Sequence, residues 1–251
     1  MANVKVFAPG GYRTLPGLFQ YSGGVAAEPG FAIERVTFRD WLPLAEGFER
    51  AKAHLVSIGR PLTAFCACEL RSPGQFSEAG FIAFNKHYCE TLTEWGIFDA
   101  ATQFNPVARS NVCPLIAPPA EPGFYAFSYT VPQEGKLPTF VNSGSGEAPG
   151  GKGAYGNFIV RRGETSPDAM ADKARSVLGE MERRMSLLGV GWHDATATQV
   201  YTVHPIHNFL GSEIVRRGAA RRGVTWFLAR PPVVELEYEM DCRAVAREHI
   251  L

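Results

Sequence analysis

The sequence carries no net charge, because 25 basic residues balance 25 acidic ones. That balance gives no long-range field toward nucleic acid or an anionic membrane, and there is no basic aromatic platform, so a nucleic-acid partner is not expected. Nowhere do about 18 apolar residues run together, as a membrane-spanning helix requires. The opening Met1-Ala-Asn-Val-Lys-Val-Phe7 has neither the charged start nor the apolar run of a secretory signal. The expectation is a cytoplasmic protein with no membrane partner.

Cysteine is scarce as well. Five residues, an odd number with no C-x-x-C pair, fit reduced thiols and not a disulfide framework. Cys66 and Cys68, two apart in a strand-like run, are expected to share one face as core filling. His204-Pro-Ile-His207 has a proline between its histidines, which spoils a helical ligand pair. No metal and no cofactor is expected. Arginine pairs at 161/162, 183/184, 216/217 and 221/222 are the places where local anion sites can arise in this neutral chain.

What the chain does have is an internal repeat. Gly17 to Gly24 and Leu137 to Ser145 each read as a short apolar strand running into Ser-Gly, at Ser22-Gly23 and Ser143-Gly144. A Gly/Pro-rich excursion follows each, then an amphipathic helix: Leu44, Phe48, Ala51, Leu55 and Ile58 in one half, Met170, Ala174, Val177, Met181, Met185 and Leu188 in the other. Gly59 and Gly189 suit helix ends, and Asp168 after Ser166-Pro167 suits a helix start. Strands at 62–70 and 195–203 come next, then helices at 76–95 and 206–217. Arg109 and Arg222 each stand nine residues before a Pro-Pro pair, at 118 and 231.

The stretch from Arg222 to Asp241 reads as a hairpin. Val233 to Met240 alternates with period two, so Val234, Leu236, Tyr238 and Met240 face one way and Glu235, Glu237 and Glu239 the other. The acidic face either meets water or lines a polar cavity in which Arg222 holds an anion. Each half therefore reads β, α, β, α, β, β, an α+β plan with helices on one face of a mixed sheet, divided as 1–131 and 132–251. The uncovered sheet faces are expected to pack between domains and to drive oligomerisation.

These pieces taken in order resemble the Rid family, the reactive-intermediate deaminases also called YjgF or L-PSP proteins. They comprise an early tyrosine, a strand into Ser-Gly, a helix ending in Ile58-Gly or Leu188-Gly, Ala108-Arg-Ser-Asn-Val112, and a closing strand with Val234-Glu-Leu-Glu237. The resemblance implies two tandem chorismate-mutase-like domains, trimers with sites between domains, and hydrolysis of enamines or imines to oxo acids and ammonia. It assigns Arg109 and Arg222 to the substrate carboxylate, Glu235 to the attacking water, and Tyr12, Ser22, Gly23, Ser143 and Gly144 to substrate binding.

Two departures leave open which half works. The strand after Arg109 has no acid, and the motif around Arg222 is looser. A non-catalytic binder of small carboxylates is the alternative. The chemistry needs an anion clamp, a group that orients water and a proton donor, and no cofactor. The resemblance extends to relatives that deaminate 2-aminomuconate, an enamine dicarboxylate from aromatic-compound breakdown, and so implies such a substrate and a homotrimer. The two arginine motifs and further arginines at 216, 217, 221 and 230 are candidate clamps for its two carboxylates.

Overall fold

The computed structural model describes residues 4–133, 135, 137–148 and 155–251. The chain begins with β1 (Lys5–Phe7), β2 (Tyr12–Leu15), β3 (Gly24–Ala27), β4 (Phe31–Pro43) and helix α1 (Leu44–Ser57). Next come β5 (Phe65–Arg71), α2 (Glu78–Glu94), β6 (Ala108–Pro114) and β7 (Gly123–Pro132). After these run β8 (Phe140–Gly146), α3 (Pro167–Leu188) and β9 (Ala197–Tyr201). A short α4 (His207–Phe209) leads into a π-helical segment at Leu210–Val215, and the chain closes with β10 (Thr225–Phe227), β11 (Ala229–Arg230), β12 (Glu239–Ala244) and β13 (Arg247–Ile250).

The helices form where apolar spacing and capping agree. Leu44, Phe48, Ala51 and Leu55 of α1 are buried against Phe65, Phe124 and Phe127. Gly47 permits that approach, since a Cβ there would lie 2.3 Å from the Phe124 ring. The Ser166 hydroxyl accepts from the Ala169 N–H at 3.3 Å to start α3, Pro167 supplies a preset φ, and Gly189 ends it at φ 77°. The α3 stripe from Met170 to Leu188 is buried on the other sheet, each large side chain contributing about 1.5–3 kcal/mol.

Two mixed sheets result, ordered β1-β2-β3-β8-β12-β9-β10 and β11-β6-β5-β7-β4-β13. They face each other, with Tyr12 and Val25 of the first sheet packing on Ile33, Cys66, Ala67 and Ala108 of the second. Charges cross the same layer: Glu69 on β5 meets Arg35 on β4 at 2.6 Å and Arg243 on β12 at 3.8 Å. The helices lie outside. The sheet faces expected to pack between domains meet each other within one chain.

Several expectations change at this level. The division at 131/132 does not separate the sheets, because β1–β3 join the sheet built otherwise from the second half, and β11 and β13 join that of the first. Cys66 and Cys68 lie on opposite faces of β5, since a bulge between Phe65 and Ala67 shifts the alternation. The long strand β4 occupies residues read as an excursion. Residues 16–23 form a loop, so Ser22-Gly23 is not the strand counterpart of Ser143-Gly144 in β8. Part of the second Gly/Pro-rich excursion lies outside the described residues.

The expected hairpin is also not one. Its first arm splits into β10 and β11, which belong to different sheets, and 231–238 is irregular until β12 starts at Glu239. Val233 and Val234 instead follow Phe76 of the first half, with Phe76 N–H to Pro232 O at 2.7 Å and Val234 N–H to Phe76 O at 3.0 Å. Glu235 turns the chain with φ 74°, a left-handed conformation that breaks the period-two pattern.

Candidate active site

A cavity of about 330 Å³ opens where the β2–β3 loop, β8 and the start of β12 meet α2 and α3. That is the lower end of the roughly 300–1,000 Å³ of small-molecule sites. Leu15, Leu18, Val233 and Leu236 give it apolar wall, Tyr21 and Phe81 give it rings, and Glu180, Arg183, Arg184 and Glu239 give it charge.

Glu239 is the buried acid of this cavity. Its carboxyl lies against Gly144, where a Cβ would stand 2.2 Å from Oε1, so any side chain there would displace the carboxyl. Among the described residues it has no hydrogen-bond partner. Burial pushes its pKa well above the usual carboxylate range, and the negative charges of Asp241 and Glu147 push it further, against the opposing pull of Arg109 and Arg184. Asp241 is itself raised to about 6 by burial and by Glu69.

The backbone that delivers Glu239 is held by Glu147. This fully buried carboxylate accepts the N–H groups of Glu237 at 2.6 Å and Tyr238 at 3.1 Å, and pairs with the equally buried Lys173 at 3.2 Å. Lys173 also donates to Val160 O at 2.7 Å. Burial raises the Glu147 pKa despite these partners.

Arg109 lies behind the ring wall. Its guanidinium packs over Tyr88 at 4.6 Å, Tyr21 at 5.1 Å and Phe81 at 5.8 Å, the last two being cavity residues. Nη2 donates to Asn85 Oδ1, and Nη1 is buried without a partner among the described residues. An unpaired buried guanidinium N–H is costly and suits a site whose anion arrives with the ligand.

Ser22, Gly23 and Gly144 line the cavity, and Ser143 stands beside it, bonded to Ser22 O at 2.6 Å and to the Arg109 N–H at 3.1 Å. Three other residues named from sequence are elsewhere. Arg222 is exposed on the turn before β10. Glu235 points to solvent and pairs with Arg162 at 2.7 Å. Tyr12 is buried between the sheets, its hydroxyl 3.3 Å from Phe65 O, and the cavity tyrosine is Tyr21.

The three alternating glutamates therefore part company: Glu235 outward, Glu237 to Arg230 and His204, Glu239 into the cavity. The arginines expected near a second carboxylate are also committed or remote. Arg217 pairs with Glu182 and Glu213, Arg230 with Glu237, and Arg216 and Arg221 lie outside the cavity. The signal for Glu239 was present in the alternation, and that for Arg184 in the pair 183/184.

The fold and the sequence have known counterparts. A chorismatase crystal structure superposes with a TM-score of 0.52, covering 92% of this chain and 79% of that chain at 12% identity, which places the fold. The YjgF gene product of E. coli matches 43% of this chain and 81% of its own with a TM-score of 0.31 at 17% identity. At the level of sequence, residues 4–249 match the family described as 2-aminomuconate deaminase CnbZ. A Comamonas testosteroni protein named 2-amino-5-chloromuconate deaminase is 51% identical over 253 residues, covering 100% of both chains. The chain belongs to this deaminase family.

Proposed function

We propose that this protein hydrolyses 2-aminomuconate or a substituted 2-aminomuconate in aromatic-compound breakdown, releasing ammonia and the oxo acid or its hydroxy-enol form, with water as the only co-reactant. The observation that carries this reading is the Glu239 carboxyl, solitary and held protonated by burial inside a cavity next to two guanidinium groups. Such an acid donates its proton to an enamine carbon and turns the C–N bond into an iminium. The resulting carboxylate takes a proton from water as the water oxygen bonds to the iminium carbon. The carbinolamine then breaks its C–N bond, the hydroxyl proton passing to nitrogen, and ammonia departs. The enamine supplies its own electron pair, so this sequence needs no cofactor.

Arg109 is the proposed clamp for the carboxylate next to the amino-bearing carbon, its Nη1, without a partner among the described residues, being the donor left for it. Ser22, Gly23 and Gly144 shape the cavity wall, and Ser143 braces Ser22 from behind. Generating 2-aminomuconate in situ and following ammonia release tests the reading: release by the wild type that is lost in Glu239→Gln supports it. Absence of release from the wild type overturns it and leaves a carboxylate-binding protein. A cytoplasmic homotrimer is the proposed setting. Five buried free cysteines support the compartment, and exposed Leu115 and Ile116, with Leu115 bonded to exposed Leu228, support an interface; mass in solution tests the trimer.

A further inference from the structure

The end of α3 places two arginines and one acid on the cavity wall, and their hydrogen bonds do not balance. Arg183 gives Nε and Nη2 to Glu180, at 2.7 and 2.8 Å. Arg184 gives Nε to the same carboxylate at 2.8 Å and turns Nη1 toward the carbonyls of Ser143 at 3.3 Å and Gly144 at 3.5 Å. Two guanidiniums thus share one carboxylate, and the neighbouring Glu239 is held neutral by burial. One positive charge on this wall stays uncompensated by the cavity's own side chains. Nη1 of Arg183 and Nη2 of Arg184 have no partner among the described residues.

Arg184 has the features of a prepared anion site. It is largely buried, and its Nε and Nη1 contacts fix the plane of the guanidinium before any ligand arrives, which lowers the ordering cost of binding. Arg184 enters the cavity from α3 and Arg109 stands on β6 behind the Tyr21 and Phe81 rings that line it, with the apolar Leu15, Val233 and Leu236 among the cavity walls. A conjugated hydrocarbon chain bearing a carboxylate at each end matches that lining.

We propose that Arg184, with Arg183 beside it, receives the carboxylate remote from the amino-bearing carbon and makes the site selective for dicarboxylates. The proposal rests on the deaminase reading for its substrate, yet concerns binding, and is testable without turnover. The probes are trans,trans-muconate and sorbate, unreactive six-carbon dienes that differ in the second carboxylate. Titration calorimetry on the full chain is expected to show wild type preferring muconate by about tenfold to a hundredfold, as one charge-assisted contact provides. Arg184→Gln is expected to remove that preference and leave sorbate affinity unchanged.

Arg184→Lys, which keeps the charge and loses the fork, should retain part of the preference and serves if the glutamine variant does not fold. Equal wild-type affinities for the two dienes, or equal weakening of both in either variant, would overturn the assignment. Ammonia release tests the activity separately: muconate selectivity that depends on Arg184, seen without any release, upholds this site while removing the deaminase reading.

Discussion

The Ser143 hydroxyl donates a 2.6 Å hydrogen bond to the main-chain carbonyl of Ser22, 121 positions earlier, and accepts the main-chain N–H of Arg109 at 3.1 Å. One buried oxygen therefore joins the cavity loop to β8 and β6. Ser143→Ala leaves a buried N–H and a buried carbonyl short of a partner and is expected to cost about 1–3 kcal/mol, read from denaturant unfolding.

Glu239→Gln keeps the volume and removes the proton donor. Turnover is expected to fall by about 10²–10⁴-fold, with substrate affinity less affected. A steady KM with a collapsed kcat in stopped-flow assays is the expected signature.

The same substitution changes how stability depends on pH. The folded pKa of Glu239 lies well above its ordinary value of 4.5, so the folded state keeps a proton that the unfolded chain releases. Stability is then complete below 4.5 and declines as pH rises toward the folded value. Asp241, raised to about 6, acts in the same direction. Wild type is expected to lose more melting temperature between pH 5 and pH 8 than Glu239→Gln does, and its activity should fall on the alkaline side as the acid ionises.

Gly144→Ala introduces a methyl 2.2 Å from Glu239 Oε1. No positive φ is involved, so the effect is steric. Displacement of the carboxyl should lower kcat by at least about tenfold, since small misplacements of catalytic groups are expensive. Thermal melts of the variant compared with its kinetics separate this from loss of fold.

Arg222→Ala and Glu235→Ala, at exposed positions away from the cavity, are expected to keep activity within about twofold and stability within about 0.5 kcal/mol. Arg109→Ala, in contrast, strands Asn85 and empties the aromatic cage, and should lower kcat/KM severely. Steady-state assays on the three variants decide between the halves.

Lys173→Met leaves the buried Glu147 without its ammonium partner and is expected to destabilise by about 3–5 kcal/mol. Pairing it with Glu147→Gln should recover part of that loss, which denaturant titration of the single and double variants measures.

Much of the fold could be read from the chain. Helix spacing in α1 and α3, with Gly59 and Gly189 at their ends, survives into the structure because burial, capping and backbone freedom all point the same way. Of the residues singled out by motif, Ser22, Gly23 and Gly144 line the cavity, and Ser143 and Arg109 stand beside it. The acid was not legible, since alternation alone ranks Glu235, Glu237 and Glu239 equally, and only the left-handed turn at Glu235 and the pairing with Phe76 sort them. Arg184 was legible as one of four arginine pairs, yet what separates it from Arg162 or Arg217 is the wall on which α3 lays it.

The crossing of terminal strands between the sheets makes the two copies interdependent. A chain severed between β7 and β8 leaves a front piece carrying β1–β3, whose neighbours in the sheet have gone, and a rear piece carrying β11 and β13, orphaned likewise. Neither copy is a spare part. Clipping the last few residues strips an edge from beside the opposite copy, because β13 lies alongside β4, and losing β1–β3 uncovers β8. Each copy therefore completes its sheet only in the presence of the other.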